Sequence, residues 1–236
     1  MGIYETLYAF QDVFGTPMGE PTTHPWSQGF PLTTQLPGGP PMPEHVQLDS
    51  TDLKYPKAWG QPELRDAIAG YYTHYYGAKI DAENVMVFAG GRPGLIALLL
   101  FLQQDIHVRI ASTEYTPYWD MLRLLRRNHS LVESSESNHF FPTAQDYLAK
   151  NDSDKNLIML SNPCNPTGIT RNGDALKALV ENASFGSTGL LVDEAYELFH
   201  EPPVSALAHI KNIDESNLFV CGAATKGLQA PGIRIG

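Results

Sequence analysis

Apolar positions along this chain fall in short blocks separated by polar, Gly-rich and Pro-rich breaks, and the spacing inside each block predicts an element. Residues 85–89, His107–Ala111, 157–160, 189–192 and Leu218–Cys221 are compact apolar runs, the pattern of strands buried on both faces. Between them the period lengthens. Leu64, Ile68, Tyr71, Tyr72 and Tyr75 follow helical spacing after Pro62, which suits a first helical turn, and Gly77 closes that helix. Gly90-Gly91-Arg92-Pro93-Gly94 reads as a turn into an apolar helix over 95–102. Further helices are expected at 118–127, with Met121, Leu122 and Leu125 on one side, and at 174–181. Strands alternating with helices argue for an α/β fold, a largely parallel sheet covered on both faces.

Residues 1–50 break this rhythm. Gly15-Thr16-Pro17, Pro37-Gly38-Gly39-Pro40-Pro41 and Pro43 sustain neither a long helix nor a central strand. The segment reads as an arm with a short helix near Ile3–Phe14, or as a floppy lead-in. Residues 51–236 then form the main domain.

Composition narrows the function classes. The chain has 236 residues and a formal net charge of −10, which disfavours nucleic acid or an anionic membrane as partner. The longest apolar run, 95–102, is too short to span a bilayer. Eight histidines include no pair at metal-ligand spacing, so no metal site is expected. Two cysteines, Cys164 and Cys221, make no disulfide framework, and no basic-then-apolar leader is read, so the cytoplasm is the expected compartment.

The chemistry gathers where apolar runs end. Lys226 follows 218–221 within Gly222-Ala223-Ala224-Thr225-Lys226-Gly227, and Arg234 lies in Gly232-Ile233-Arg234-Ile235-Gly236. Asp193-Glu194-Ala195-Tyr196 follows 189–192, and Asn162-Pro163-Cys164-Asn165-Pro166-Thr167-Gly168 follows 157–160. A lysine among small residues leaves room for a bulky group and serves covalent amine chemistry once burial lowers its pKa; the bland alternative is a solvated loop lysine. Asp193 is either a carboxylate awaiting a cationic partner or a helix cap. Asn165 is either a fixed amide donor or a plain Asn-Pro turn, and Arg234 is either an anion ligand or a surface arginine.

Taken together, these motifs resemble the class I/II aminotransferase family of fold-type I pyridoxal-phosphate enzymes, over residues 53–236. The resemblance implies the large domain of that fold, a three-layer α/β/α arrangement around a mostly parallel sheet. It implies pyridoxal 5'-phosphate as cofactor and Lys226 as the residue forming the internal aldimine, then acting as general base. Asp193 would pair with the ring nitrogen, and Tyr196 and Asn165 would donate to the phenolate oxygen. Arg234 and the loop carrying Gly91, Arg92 and Pro93 would hold the phosphate, although Pro93 lacks an N–H and Arg92 either supplies charge or faces solvent. Ala223 stands where many relatives carry a phosphate-binding serine, leaving Thr225 as its substitute. Tyr115 would stack on the ring, with Tyr118 and Trp119 as competitors or a core role as the alternative.

Tyr55, in Tyr55-Pro56-Lys57-Ala58-Trp59-Gly60-Gln61-Pro62-Glu63-Leu64-Arg65, resembles the tyrosine that reaches the phosphate of a neighbouring subunit, implying a homodimer; its alternative is a turn tyrosine packed on its own chain. Gly29, with Asn165, would touch the substrate. The expected reaction moves an amino group between an amino acid and a 2-oxo acid. The atypical 90–94 loop leaves a lyase, cyclase or oxidase-like reaction on the same fold as the alternative. Residues 232–236 read as a strand entering the sheet. Family members continue past this point into a small domain, so a partial chain is expected, and an inactive fragment is the third reading.

Overall fold

The computed structural model describes residues 3–20, 22–24, 29, 31, 44–148, 155–183 and 188–236. Among these residues, five strands form one sheet: β1 (His107–Ala111), β2 (His129–Val132), β3 (Asn156–Ser161), β4 (Gly189–Asp193) and β5 (Leu218–Cys221). Their order is β2-β1-β3-β4-β5, and every pair is parallel. The chain leaves β1 toward β2 on one side and returns to β3 on the other, so the strand order reverses beside β1. Crevices at such reversals, beyond the carboxyl ends of the strands, are the usual ligand sites of open α/β sheets.

Helices cover both faces. Successive residues of β3 point to opposite sides, which sorts its side chains into two cores. Ile158 and Leu160 pack with Leu190, Val192, Tyr72, Tyr147, Leu176 and Leu179, bringing α2 (Pro62–Tyr76), α5 (Ala144–Leu148) and α6 (Gly173–Glu181) onto one face. Leu157 and Met159 pack with Leu191, Leu95, Leu99, Tyr118 and Leu122, bringing α3 (Gly91–Phe101) and α4 (Pro117–Leu124) onto the other. All six residues of β3 and all five of β4 are buried, as doubly covered parallel strands must be. The expected three-layer α/β/α architecture is therefore present.

Local signals set the helix ends. Pro62 occupies the first turn of α2, and Gly77 adopts φ 67° beyond its end, its N–H reaching Thr73 O at 3.1 Å. The arm carries α1 (Ile3–Phe14), as expected, with Val13 and Phe14 exposed. Among the described residues no helix is long and apolar enough to cross a membrane.

Three sequence expectations need correction. Residues 85–89 form no strand of the sheet: Val87 donates to Trp59 O at 3.0 Å, and Phe88 exchanges two hydrogen bonds with Gly236, at 2.7 and 3.1 Å. Residues 232–236 are likewise not a strand; Arg234 takes φ 58°, outside the extended region, and breaks the run. Finally, α3 begins at Gly91 rather than at residue 95, because Pro93 falls in its first turn, where a missing N–H costs nothing.

Candidate active site

Asp193, Tyr196, Asn165, Tyr115 and Lys226 all lie at or beyond the carboxyl ends of strands of the sheet, whereas Arg92, Arg234 and Tyr55 do not. Asp193 is the last residue of β4 and pairs in register with Ser161 of β3 and Cys221 of β5. It is 8% exposed. Its Oδ2 accepts from the Tyr118 hydroxyl at 3.0 Å, and its Oδ1 accepts from the Ala195 N–H at 3.1 Å. Burial pushes this carboxyl above the usual range, against the pull of those two donors and of the more distant Arg92 charge. Among the described residues, the site thus holds a buried acid that no cation contacts directly.

Lys226 lies in the short helix α7 (Ala224–Gly227) that follows β5. Its Nζ stands 5.3 Å from the centroid of the Tyr196 ring and donates to the carbonyl of Gly29. Burial, and then the positive charge of Arg92, lower its pKa. The amine therefore becomes neutral at a lower pH than an ordinary lysine. Tyr196 is half-buried, and burial raises its pKa, so its hydroxyl keeps its proton and can donate. Gly29 is required here for space: a Cβ at that position would collide with the Tyr196 hydroxyl and come within 3.4 Å of the Lys226 Nζ.

The loop at residues 90–91 forms the other wall. Gly90 has φ 97° and leads into α3, and the Arg234 guanidinium packs where a side chain would be. Arg234 donates to Pro231 O at 2.9 Å and to Ala89 O at 3.4 Å. A Cβ built on Gly91 would lie 3.7 Å from the Ala223 Cβ and 3.4 Å from the Cys221 sulfur, so the glycine loop and Ala223 share one corner, with Thr225 two residues on in α7. Arg92 does not point to bulk solvent alone. Its Nε donates to the Tyr115 hydroxyl at 2.8 Å, and its guanidinium lies 5.6 Å from that ring's centroid. Pro93 is exposed in the first turn of α3 and has no N–H to offer.

Tyr115 meets Tyr118 edge to face at 5.4 Å, and the two divide the labour left open in the sequence: Tyr118 is the buried partner of Asp193, while Tyr115 stays half-exposed at the mouth. Asn165 is half-buried, its backbone N–H bonded to the Ser161 hydroxyl at 2.9 Å. Tyr55 stands apart from this cluster, fully exposed to solvent among the described residues.

Two residues escaped sequence reasoning. In sequence the Tyr118 hydroxyl reads only as a stacking rival, and Glu114, 3% exposed just beyond β1, goes unmarked. The signal for Glu114 is the one that marks Asp193, a carboxylate just beyond an apolar run.

The donor set fits pyridoxal phosphate. A buried acid held by a hydroxyl and a backbone N–H suits a protonated ring nitrogen, a lysine whose pKa is lowered suits an aldehyde, and a glycine turn lined by Arg234 at the head of α3 suits a phosphate.

Comparison with known proteins points the same way. A family model described as aminotransferase class I and II matches residues 33–236. The chain is 28% identical over 190 residues to an aspartate aminotransferase of Pyrococcus horikoshii, covering 80% of this chain and 48% of that protein. It is 29% identical over 219 residues to an aspartate/prephenate aminotransferase of Thermus thermophilus, covering 89% and 56%. It is 31% identical over 150 residues to a valine–pyruvate aminotransferase of Mycobacterium tuberculosis, covering 63% and 38%. The solved structure of aspartate aminotransferase from Thermus thermophilus with maleate aligns at a TM-score of 0.70 with 25% identity, covering 78% of this chain and 48% of that one. The chain spans between 38% and 56% of the length of these three curated relatives.

Proposed function

The chain belongs to the aminotransferase class I and II family, and we propose that it is the cofactor-binding domain, residues 51–236, of a pyridoxal-phosphate-dependent aminotransferase acting on an amino acid and a 2-oxo acid. The observation that carries this reading is the meeting of a pKa-lowered Lys226, a buried Asp193 and the Tyr196 hydroxyl at the carboxyl end of one parallel sheet.

When bound, the cofactor supplies an aldehyde carbon and an electron-accepting ring. The chain's own residues would do the rest. Lys226 would present its lone pair to the aldehyde and later carry a proton at Nζ. Asp193, kept in place by Tyr118 and Ala195, would hold a proton at the ring nitrogen. Tyr196 and the Asn165 amide would donate to the ring oxygen, and Tyr115 would cover one face of the ring and exclude water. Arg234, the N–H groups of Gly91 and Arg92, and the Thr225 hydroxyl would bind the phosphate. Gly29, whose carbonyl already reaches the Lys226 amine, would line the substrate side.

The relatives named above are all aminotransferases, which favours amino transfer over the lyase or oxidase-like alternative. The test is a coupled assay with the protein, the cofactor and panels of amino acids and 2-oxo acids. Turnover should require both partners. Product formed from the amino acid alone, at a rate indifferent to the oxo acid, would overturn the reading.

We also propose a homodimer in which Tyr55 serves the phosphate of the adjoining subunit; its full exposure on its own chain supports this. Inactive Tyr55→Ala and Lys226→Ala proteins, mixed and allowed to exchange, should recover up to about a quarter of wild-type activity, from the one intact site each mixed dimer contains. No recovery after verified exchange would confine the site to one chain.

A further inference from the structure

We infer that Glu114 is a positioning residue that sets Tyr115 and Asn165 against the cofactor, acting on Asn165 through the Ser161 hydroxyl. The inference rests on the functional reading above. Glu114 lies just beyond β1, and Ser161 ends β3, so the two meet where the strand order reverses. Both Glu114 oxygens accept from the Ser161 N–H at 3.2 Å. Its Oε2 also accepts from the Ser161 hydroxyl at 2.6 Å and from the Tyr115 N–H at 3.3 Å. The Ser161 oxygen in turn accepts from the Asn165 N–H at 2.9 Å.

The direction of this relay is forced. A backbone N–H can only donate, so Asn165 occupies a lone pair of the Ser161 oxygen. The hydroxyl hydrogen must then point elsewhere, and the carboxylate is its acceptor. One buried acid thereby ties the residue proposed to stack on the ring to the residue proposed to donate to its oxygen, 50 positions apart in sequence (165 − 115).

The carboxylate form is essential to that arrangement, because only it accepts at every contact. Burial pushes Glu114 up to about 7, against the pull of Ser161, Tyr115 and the Arg171 charge. The other titratable groups coupled to it are Tyr118 of α4, Tyr147 of α5 and Cys164 beyond β3. The folded-state value lies above the ordinary 4.5, so the group's stability contribution is full below about 4.5 and is lost as pH rises through about 7. The ionised form that orients the relay is thus the one that strains the fold. Glu114→Gln, which keeps the shape but turns an acceptor into a donor, mimics the protonated state.

The experiment is titration of pyridoxal phosphate into wild type, Glu114→Gln, Ser161→Ala and the double variant, at about pH 8 and about pH 6. At the higher pH each single change should raise Kd about tenfold, the scale of one lost charge-assisted hydrogen bond. The double variant should bind no worse than either single one, since the two act as a unit. At the lower pH the ratio between wild type and Glu114→Gln should shrink toward one. A Glu114→Gln protein that binds like wild type at the higher pH, or singles whose effects simply add, would overturn the inference. Should Glu114→Gln fail to fold, Ser161→Ala decides alone, and unchanged binding there sinks it. Should wild type bind no cofactor, the functional reading fails instead. Thermal unfolding of the four proteins then decides the network, coupled losses supporting it and additive losses overturning it.

Discussion

Lys226→Ala is expected to abolish amino transfer, by a factor on the order of 10⁶, the scale on which removal of a covalent catalyst is felt. The change deletes the amine whose pKa burial and Arg92 lower, beside the Tyr196 ring. It removes nothing from the core, since Lys226 is only half-buried and donates its hydrogen bond to the Gly29 carbonyl. The variant should therefore fold like wild type. Borohydride treatment of the wild-type protein with cofactor should fix a label at Lys226, and the variant should take up none. A variant that still acquires a reducible label would place the covalent chemistry on another lysine and dismantle the site as assembled here.

Asp193→Ala should also fold, yet lose about two to four decades in kcat. Removing one partner of a buried charge pair costs about 3–5 kcal/mol, and each 1.4 kcal/mol or so is a decade in rate. In the protein alone this acid accepts from the Tyr118 hydroxyl and the Ala195 N–H, and burial pushes its pKa upward. A protonated ring nitrogen would supply the missing charge and pull that pKa back down. Without Asp193 no carboxylate at this position would hold a proton on the ring nitrogen, the form in which the cofactor would best accept electrons. Steady-state kinetics with saturating cofactor measure the loss. Activity within a few-fold of wild type would mean that Asp193 does no more than cap the turn that follows β4.

Much of this site could be seen in the sequence because a polar residue at the end of an all-apolar run is costly unless it has a task. Asp193, Asn165 and Lys226 each announced themselves that way. The doubly buried strands β3 and β4 were legible for the same reason: nothing in 157–160 or 189–192 alternates. The edge strand β2 gave no such signal. His129-Ser130-Leu131-Val132 buries Val132 but leaves Leu131 54% exposed, so its polar and apolar positions follow no recognisable run. Residues 85–89 misled in the opposite sense, since their apolar content specifies extended backbone but not the neighbour with which it pairs. The split between Tyr115 and Tyr118 was also out of reach. Two tyrosines three positions apart are equivalent until the fold places one against Asp193, 75 positions further on.

That separation has a consequence for how the protein comes together. The bonds that define the site join Glu114 to Ser161 across 47 positions and Tyr118 to Asp193 across 75. The parallel pairing of β1 with β3 lies between them and spans comparable lengths of chain. None of these contacts can be won by local collapse, because each carries the entropy of closing a long loop before it returns any interaction. The site should therefore be among the last regions to acquire native order, and its formation should track completion of the sheet instead of preceding it. A cofactor that selects the finished arrangement would then report on folding itself: the appearance of its bound spectrum during refolding should lag behind the recovery of helical signal from α2, α3 and α6.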